Sequence, residues 1–154
     1  MAEDVPLPAL LRASRGAYSH SIRRHLADAG IEDMPRNGPY VLGGVVNRGG
    51  SISELVPQLG VSKQAASELV DSLVERGFLR RELDVTDRRR VRIDVTDRGR
   101  DAAAAVKAGV DAVDAELGTR LTPQQLAGLR TGLIELCAIR EEMEDAMRSQ
   151  ADGG

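Results

Sequence analysis

The fold is decided by residues 51–77, which read SISELVPQLGVSKQAASELVDSLVERG. A capping box at residues 51–54 predicts the start of a short helix, and Gly60 is suited to end it. Ser62 can then cap a second helix over residues 63–76, which has an apolar stripe at helical spacing. Two short helices joined by a tight turn are typical of a helix-turn-helix.

Alternating apolar and charged residues follow this stretch directly. Residues 78–84 and 91–95 are predicted to form two strands, and the polar residues 85–90 between them are predicted to form a loop. A helix-turn-helix followed by two strands and a loop is typical of a winged helix. We therefore assign residues 38–100 to a winged helix-turn-helix region.

Further helices are predicted on both sides, so the fold class is mainly α with a small β-hairpin wing. The N-terminal helix lies between Pro8 and Gly30. The next, over residues 39–46, contains two adjacent glycines, each of which costs about 1 kcal/mol relative to alanine. Thr96 is expected to cap a later helix, and Gly118 is expected to end it.

The last helix is predicted to begin at a capping box, residues 122–125, and it carries apolar residues near heptad spacing. We predict that residues 5–30 and 97–149 form dimerisation helices, because long amphipathic helices around so small a winged helix leave apolar surface for a partner. The alternative is that these stripes pack within one subunit. Residues 150–154 are expected to be a disordered tail.

Composition excludes several classes of protein. The net charge is -3 and only three residues are aromatic, which argues against coating of nucleic acid by bulk charge and against base stacking on an aromatic platform. The single cysteine, Cys137, excludes an intramolecular disulfide and a cysteine-ligated metal site, and it is expected to be buried and inert. No uncharged run is long enough to cross a bilayer. A cytoplasmic protein with no membrane partner is expected.

The charge is unevenly distributed along the chain. Residues 101–154 have a balance of -5, whereas residues 60–100 have a balance of +2. Eight arginines lie within residues 80–100. The acidic excess therefore belongs to the C-terminal helices, and the arginines cluster in and around the wing.

Two groups of side chains could contact DNA. Lys63, Gln64 and Ser67 lie in the first turn and a half of the second helix, the part that touches base edges when a helix enters the major groove. Gln can bind adenine through two hydrogen bonds, and Lys can bind guanine or phosphate. A solvated helix face and a charged hairpin turn are the alternatives, but a polar helix followed by an arginine-tipped wing favours DNA. The wing loop contributes Asp87, Arg88, Arg89 and Arg90.

Several segments carry a resemblance to a known family: residues 53–56, 59–67, 69–78, 87–89 and 95–100. They resemble the MarR family of transcriptional regulators. The resemblance implies a homodimer that presents one recognition helix and one wing per subunit to a pseudopalindromic site in double-stranded DNA. It further implies that the groove is faced by Ser62, Lys63, Gln64 and Ser67 and that the wing tip is formed by Asp87, Arg88 and Arg89.

The sequence departs from the family pattern at two places. Glu68 stands where many relatives carry a basic residue, which removes a possible phosphate contact. The glycine pair at residues 43–44 makes a helix that helps to line the effector cavity of the family less regular. Tyr18, His25 and Tyr40 could line a cavity for a small aromatic or phenolic effector, as in many relatives, although ordinary packing is the favoured role for each.

We therefore expect a homodimeric, sequence-specific DNA-binding regulator, most simply a repressor released by a small-molecule effector. The alternative is a winged-helix protein-interaction module that does not bind DNA. No nucleophile–base pair, phosphate-binding loop or metal motif is recognisable, so neither catalysis nor a cofactor is expected. His20 and His25 have an i, i+5 spacing that is poor for shared metal ligation.

Overall fold

The computed structural model describes residues 4–48, 62–83 and 91–151. The predicted helix from Ile52, the wing loop and residues 152–154 lie outside this description. The chain forms two compact units, residues 1–113 and 114–154. Its elements, in chain order, are α1 (Leu7–Asp28), α2 (Gly38–Arg48), α3 (Lys63–Glu75), β1 (Leu79–Leu83), β2 (Val91–Val95), α4 (Asp97–Arg120) and α5 (Pro123–Ala151).

These elements confirm the predicted fold class, which is mainly α with a two-stranded antiparallel hairpin. The two strands are in register, with Leu79 opposite Val95 and Leu83 opposite Val91. Gly77, between α3 and β1, has a φ of 74°. This left-handed conformation costs glycine nothing, because it has no Cβ, and it allows the chain to turn sharply from the helix into the strand.

Apolar side chains from α1, α2, α3, β1 and α4 meet in one core within the first unit. In this unit α2 packs against α3 and β2, and α3 packs against β1. Each helix contributes one stripe of its surface, as expected for amphipathic helices. The buried members are Ile22, Leu26, Ile31, Val41, Leu42, Val45, Val70, Leu73, Phe78, Leu79, Ala102 and Val106.

The N-terminal helix agrees with its sequence signals. Pro8 lies in the first turn of α1, and Gly30 follows the helix with a φ of 73°. The predicted second helix also forms despite its two glycines, and α2 extends one residue earlier and two residues later than predicted. It is stabilised by tertiary packing, since Val41, Leu42 and Val45 are buried.

The start of α4 is built around Thr96, which confirms the predicted cap. Its Oγ1 accepts a hydrogen bond from the backbone N–H of Gly99 at 3.0 Å. The same hydroxyl lies 2.6 Å from the carbonyl oxygen of Gly77 and 3.0 Å from that of Phe78. One side chain therefore joins the first turn of α4 to the entry of β1.

Two glycines allow α4 to approach its neighbours closely. A Cβ at Gly99 would lie 2.0 Å from the carbonyl oxygen of Phe78, and a Cβ at Gly109 would lie 2.7 Å from the Cα of Ile22 in α1. Both neighbours are backbone atoms, which cannot move aside as a side-chain tip can. These positions therefore require glycine for steric reasons.

The prediction that Gly118 ends this helix is wrong. The helix continues to Arg120, and the backbone N–H of Leu121 still donates to the carbonyl oxygen of Leu117 at 3.0 Å. A single glycine costs about 1 kcal/mol in a helix interior, which is too little to end a long helix by itself. An i, i+4 ion pair between Glu116 and Arg120 spans the glycine.

The second unit contains α5, whose predicted capping box is confirmed. The N–H of Thr122 donates to Oε1 of Gln125 at 2.9 Å, and the N–H of Gln125 donates to Oγ1 of Thr122 at 3.3 Å. The helix runs to Ala151, two residues into the segment 150–154 that was expected to be disordered. Its apolar residues form an exposed stripe in the single chain, comprising Leu129, Leu133, Leu136, Ile139, Met143 and Met147.

The expectation of a buried Cys137 is wrong for the single chain. The thiol is exposed. Cys137 lies one helical turn after Leu133, which is also exposed. The neighbouring side chains of α5 therefore do not bury the thiol.

Candidate nucleic-acid interface and ligand cavity

The N-terminal end of α3 presents polar side chains to solvent. Oγ of Ser62 accepts a hydrogen bond from the backbone N–H of Ala65 at 3.2 Å, which confirms the predicted cap. Gln64 and Ser67 are exposed, and Lys63 is the first residue of the helix. The predicted contact residues of this helix therefore lie together in its first two turns.

The opposite face of α3 is held rigidly in the core. Ala66, Val70 and Leu73 are completely buried. Asp71 adds an ion pair with Arg81 of β1, which links the helix to the hairpin. A helix anchored in this way can present its polar end with little freedom to rotate.

Glu68 modifies the polar face. Nε2 of Gln64 donates a hydrogen bond to Oε1 of Glu68 at 3.0 Å, one turn further along the helix. A carboxylate can only accept, so the amide nitrogen of Gln64 must be the atom that faces Glu68. The carbonyl oxygen and the second N–H of Gln64 remain available for another partner.

Among the described residues of the arginine-rich segment 80–100, carboxylates pair with Arg80, Arg81, Arg98 and Arg100. Arg80 lies 2.8 Å from Glu82 and 3.7 Å from Asp94, and Arg100 pairs with Asp97. These pairs reduce the positive charge available around the hairpin. The wing residues Asp87, Arg88, Arg89 and Arg90 lie outside the described residues.

A network that the sequence does not predict joins three distant segments. Asp33, between α1 and α2, accepts from Nη2 of Arg98 at 2.7 Å through its carboxylate, and its carbonyl oxygen accepts from Nη1 of Arg76 at 3.0 Å. Nη1 of Arg98 also donates to the carbonyl oxygen of Arg76, at the end of α3. The guanidinium of Arg98 lies over the ring of Phe78, 4.4 Å from its centroid, in cation–π geometry.

A cavity of about 710 Å³ lies within the first unit, beside the C-terminal half of α1. Ionisable side chains at its boundary are Arg23, Glu32, Arg36 and Tyr40, and Nε of Arg23 donates to the carbonyl oxygen of Ser19 at 3.2 Å. The apolar lining is supplied by Ile22, Leu26, Ala27, Ile31, Met34, Pro35 and Pro39.

One of the three residues predicted to line an effector cavity lies at this cavity. Tyr40 lies at this cavity, whereas Tyr18 and His25 are not part of its lining. Tyr18 packs against the hydrophobic core, and Nδ1 of His25 is 2.8 Å from the carbonyl oxygen of Ser21 on the same helix. Tyr18 lies one turn before Ile22 on the apolar stripe of α1, but it contacts the core and does not line the cavity.

The cavity residues Ile22 and Leu26 carry a signal in the sequence, because both belong to the apolar stripe of α1. The residues between α1 and α2 carry no such signal. Their role depends on where the chain returns after Gly30, which local patterns do not specify.

Within residues 4–48, 62–83 and 91–151, His, Cys, Asp and Glu side chains nowhere form a group of three that could hold a metal ion. No helix in the same part of the chain has the length and hydropathy needed to cross a membrane.

Known structures share this fold over most of the chain. CouR from Rhodococcus jostii, bound to p-coumaroyl-CoA, is 24% identical with a TM-score of 0.67, and the match covers 89% of this chain and 94% of that one. A MarR-family regulator from a Rhodococcus species is 23% identical with a TM-score of 0.64, covering 85% and 93%. A MarR-family protein of Mycobacterium tuberculosis, in complex with salicylic acid, is 27% identical with a TM-score of 0.58, covering 88% and 99%.

The comparison with curated protein sequences returned no match. The comparison with family models matched residues 33–90 to the MarR family. These residues include α2, α3 and β1, the elements that carry the polar helix face and the start of the hairpin. Residues 33–90 therefore match the MarR family of transcriptional regulators, and the chain shares the winged-helix fold of MarR-family structures over most of its length.

Proposed function

We propose that the chain binds a pseudopalindromic site in double-stranded DNA as a homodimer and represses transcription until a small-molecule effector releases it. Residues 38–100 are the DNA-binding region in this proposal. Residues 5–30 and 97–149 supply the dimer contacts. A cytoplasmic location follows from a DNA partner and a single unpaired cysteine.

The observation that carries the proposal is the two-sided character of α3. Its buried face anchors the helix, while Gln64 and Ser67 are exposed beside the Ser62 cap. A recognition helix contacts base edges through the residues at its N-terminal end. We assign these contacts to Ser62, Lys63, Gln64 and Ser67.

The hydrogen bond from Gln64 to Glu68 favours readout of adenine. With one N–H held by the carboxylate, the carbonyl oxygen of Gln64 can accept from adenine N6 and the second N–H can donate to adenine N7. Glu68 would position this amide, and it would disfavour a phosphate close to itself. Affinity for the backbone must then come from elsewhere, and we assign it to the wing residues Asp87, Arg88, Arg89 and Arg90.

Homodimerisation is supported by the exposed apolar stripe of α5. Large contiguous apolar patches on a soluble protein usually mark an interaction surface. A symmetric dimer would present two recognition helices to successive major grooves, about 34 Å apart. Two half-sites also compensate for the modest basic charge of one subunit.

A small aromatic acid is the proposed effector. The cavity combines an apolar lining with Arg23, Arg36, Glu32 and Tyr40, and its two arginines outnumber its one carboxylate, which suits a ring that bears an anionic group. The relatives in complex with salicylic acid and p-coumaroyl-CoA support the same ligand class. To release DNA, the effector must bind the DNA-free arrangement more tightly than the DNA-bound one.

The experiment measures binding to DNA fragments selected by the protein, over a series of salt concentrations. Arg89→Ala is expected to weaken binding and to lower the salt slope by about one unit if Arg89 contacts a phosphate. Gln64→Ala is expected to relax the preference at one base position, and Arg120→Ala, at the end of α4, serves as the control with an unchanged slope. Absence of sequence-selective binding by the unaltered protein would favour the protein-interaction alternative.

A further inference from the structure

We propose that Asp33 is the positioning residue that couples occupancy of the cavity to the orientation of α3, acting through Arg98 and Arg76. The inference rests on the proposed function, in which a cavity ligand changes DNA affinity. It assigns a defined path to that effect, from the segment at residues 31–36 to the end of the recognition helix. We call this segment, residues 31–36, the cavity loop.

The cavity loop lines the cavity and also contacts the end of α3. Five of its six residues line the cavity, and Asp33 is the exception. A ligand that displaces the neighbouring side chains of Glu32 or Met34 must also move the backbone that joins them. Asp33 lies in the middle of that backbone, so its carbonyl oxygen and its carboxylate move with the wall of the cavity.

The carbonyl oxygen and the carboxylate of Asp33 both accept hydrogen bonds from arginines outside the cavity loop. The carbonyl oxygen accepts from Arg76, the residue that follows the last turn of α3. The carboxylate accepts from Arg98, which in turn donates to the carbonyl oxygen of Arg76. The three groups therefore form a closed triangle in which displacement of Asp33 alters both contacts to the end of α3.

Arg98 provides the fixed corner of this triangle. Its guanidinium lies over the fully buried ring of Phe78. The neighbouring residue, Gly99, is in close contact with the backbone of Phe78. Movement of Asp33 relative to this cation therefore changes the hydrogen bonds that Asp33 and Arg98 make to Arg76 at the end of α3.

An apolar contact joins the same two segments. A Cβ at Gly38 would lie 2.6 Å from Sδ of Met34 and 3.2 Å from Cδ2 of Leu73, so the start of α2 lies between the cavity loop and α3. Met34 lines the cavity, and Leu73 is completely buried in α3. Displacement of Met34 therefore reaches α3 by packing as well as by hydrogen bonds.

The exposure of the ion pair suits a contact that changes during function. The side chains of Arg98 and Asp33 are 44% and 40% exposed. Ion pairs with such exposure contribute little to folding stability. A ligand can therefore rearrange this pair without unfolding the domain, provided that it binds the two arrangements with different affinity.

The test uses the full-length protein, salicylate as the probe, and Asp33→Asn as the variant. Asparagine keeps the shape and the backbone carbonyl but removes the charge that Arg98 pairs with. Asp71→Asn is the matched control, because Asp71 also joins α3 to an arginine in a partly exposed pair but has no contact with the cavity loop. Calorimetry gives the salicylate affinity without DNA, and fluorescence anisotropy gives the DNA affinity with and without saturating salicylate.

We expect salicylate to weaken DNA binding by at least about 5-fold in the unaltered protein and in Asp71→Asn, within the usual range of coupling between sites. In Asp33→Asn the weakening should fall below about 2-fold while salicylate affinity stays within about 2-fold, and Asp33→Glu should restore part of the coupling. An undiminished response in Asp33→Asn would overturn the inference and leave the proposed function intact. If the unaltered protein shows no selective DNA binding, or if salicylate does not change that binding, the result would count against the proposed function and against the inference that rests on it.

Discussion

The core of the first unit and the stripe of α5 are built from the same kinds of side chain in opposite environments. Leu73 of α3 is completely buried, whereas Leu133 and Met147 of α5 are 40% and 69% exposed. Both helices have apolar residues at helical spacing and a side-chain cap at the N-terminus. Their sequences alone therefore do not distinguish a helix that completes a core from one that is left open.

The difference lies in what surrounds each helix. Around α3, chain segments far apart in sequence return to form a shared core. In the same unit Gly99 and Gly109 let α4 approach the backbone of Phe78 and of Ile22. Most of the stripe on α5 remains exposed in the single chain. We attribute the cover of this stripe to a second copy of the chain.

The largest effect is expected from Gly99→Ala, which tests how closely the start of α4 packs against its neighbours in the core. A Cβ at this position would lie 2.0 Å from a backbone oxygen, so the start of α4 must move away from β1. Overpacking usually costs about 1–3 kcal/mol, and a backbone clash of this severity should reach or exceed the upper end. Thermal or denaturant unfolding measures the loss.

The matched control is Gly118→Ala in the same helix. Nothing lies within 4 Å of a Cβ at Gly118, so alanine should be neutral or stabilise the helix by about 0.5–1 kcal/mol. Equal destabilisation by both variants would show that steric closeness does not govern the packing of α4.

The next effect concerns the α5 stripe. Leu133→Asp places a charge in the proposed dimer contact and should weaken self-association by about 30-fold or more, which corresponds to about 2 kcal/mol. Analytical ultracentrifugation over a range of concentrations measures this change. Thr131→Asp, at an exposed position of the same helix away from the stripe, is the control. A monomeric unaltered protein, or a dimer insensitive to Leu133→Asp, would contradict the assignment of the stripe.

A comparable effect is expected inside the first unit from Thr96→Val. The change keeps the branched shape but removes the cap of Gly99 and the hydroxyl beside two carbonyl oxygens. Loss of a partly buried cap and hydrogen bond should cost about 2 kcal/mol in unfolding free energy. Thr119→Val, which removes a hydroxyl bonded within one exposed helical turn, should cost much less.

The smallest effect is expected at the exposed end of α3. Ser62→Ala removes the acceptor for the N–H of Ala65 and should cost about 1 kcal/mol. Ser67→Ala, inside the helix, should leave stability nearly unchanged, because alanine is the better helix former. Hydrogen exchange of the first turn of α3 separates local fraying from global unfolding, and protection unaffected by Ser62→Ala would argue against the cap.

Local signals determined most of the secondary structure. Capping residues such as Ser62, Thr96 and Thr122 act within three residues of their own position, and the spacing of apolar side chains specifies which face of a helix is buried. The two strands of the hairpin are indicated by their alternating pattern in the same way. These interactions depend on neighbours along the chain, so a reader of the sequence can find them.

Tertiary structure decided the features on which regulation is proposed to depend. Asp33 pairs with Arg98, 65 positions further along the chain. Tyr40 lines the cavity, whereas Tyr18 and His25 do not. Gly118 remains within a helix, and Gly99 lies close to the backbone of a neighbouring segment. Local patterns in the sequence indicate the described helices, their caps, the hairpin strands and the resemblance to a regulator family, because each of these depends on residues a few positions apart. Which distant residues meet, and which apolar faces stay exposed, depends on how the whole chain packs, and no local pattern encodes it.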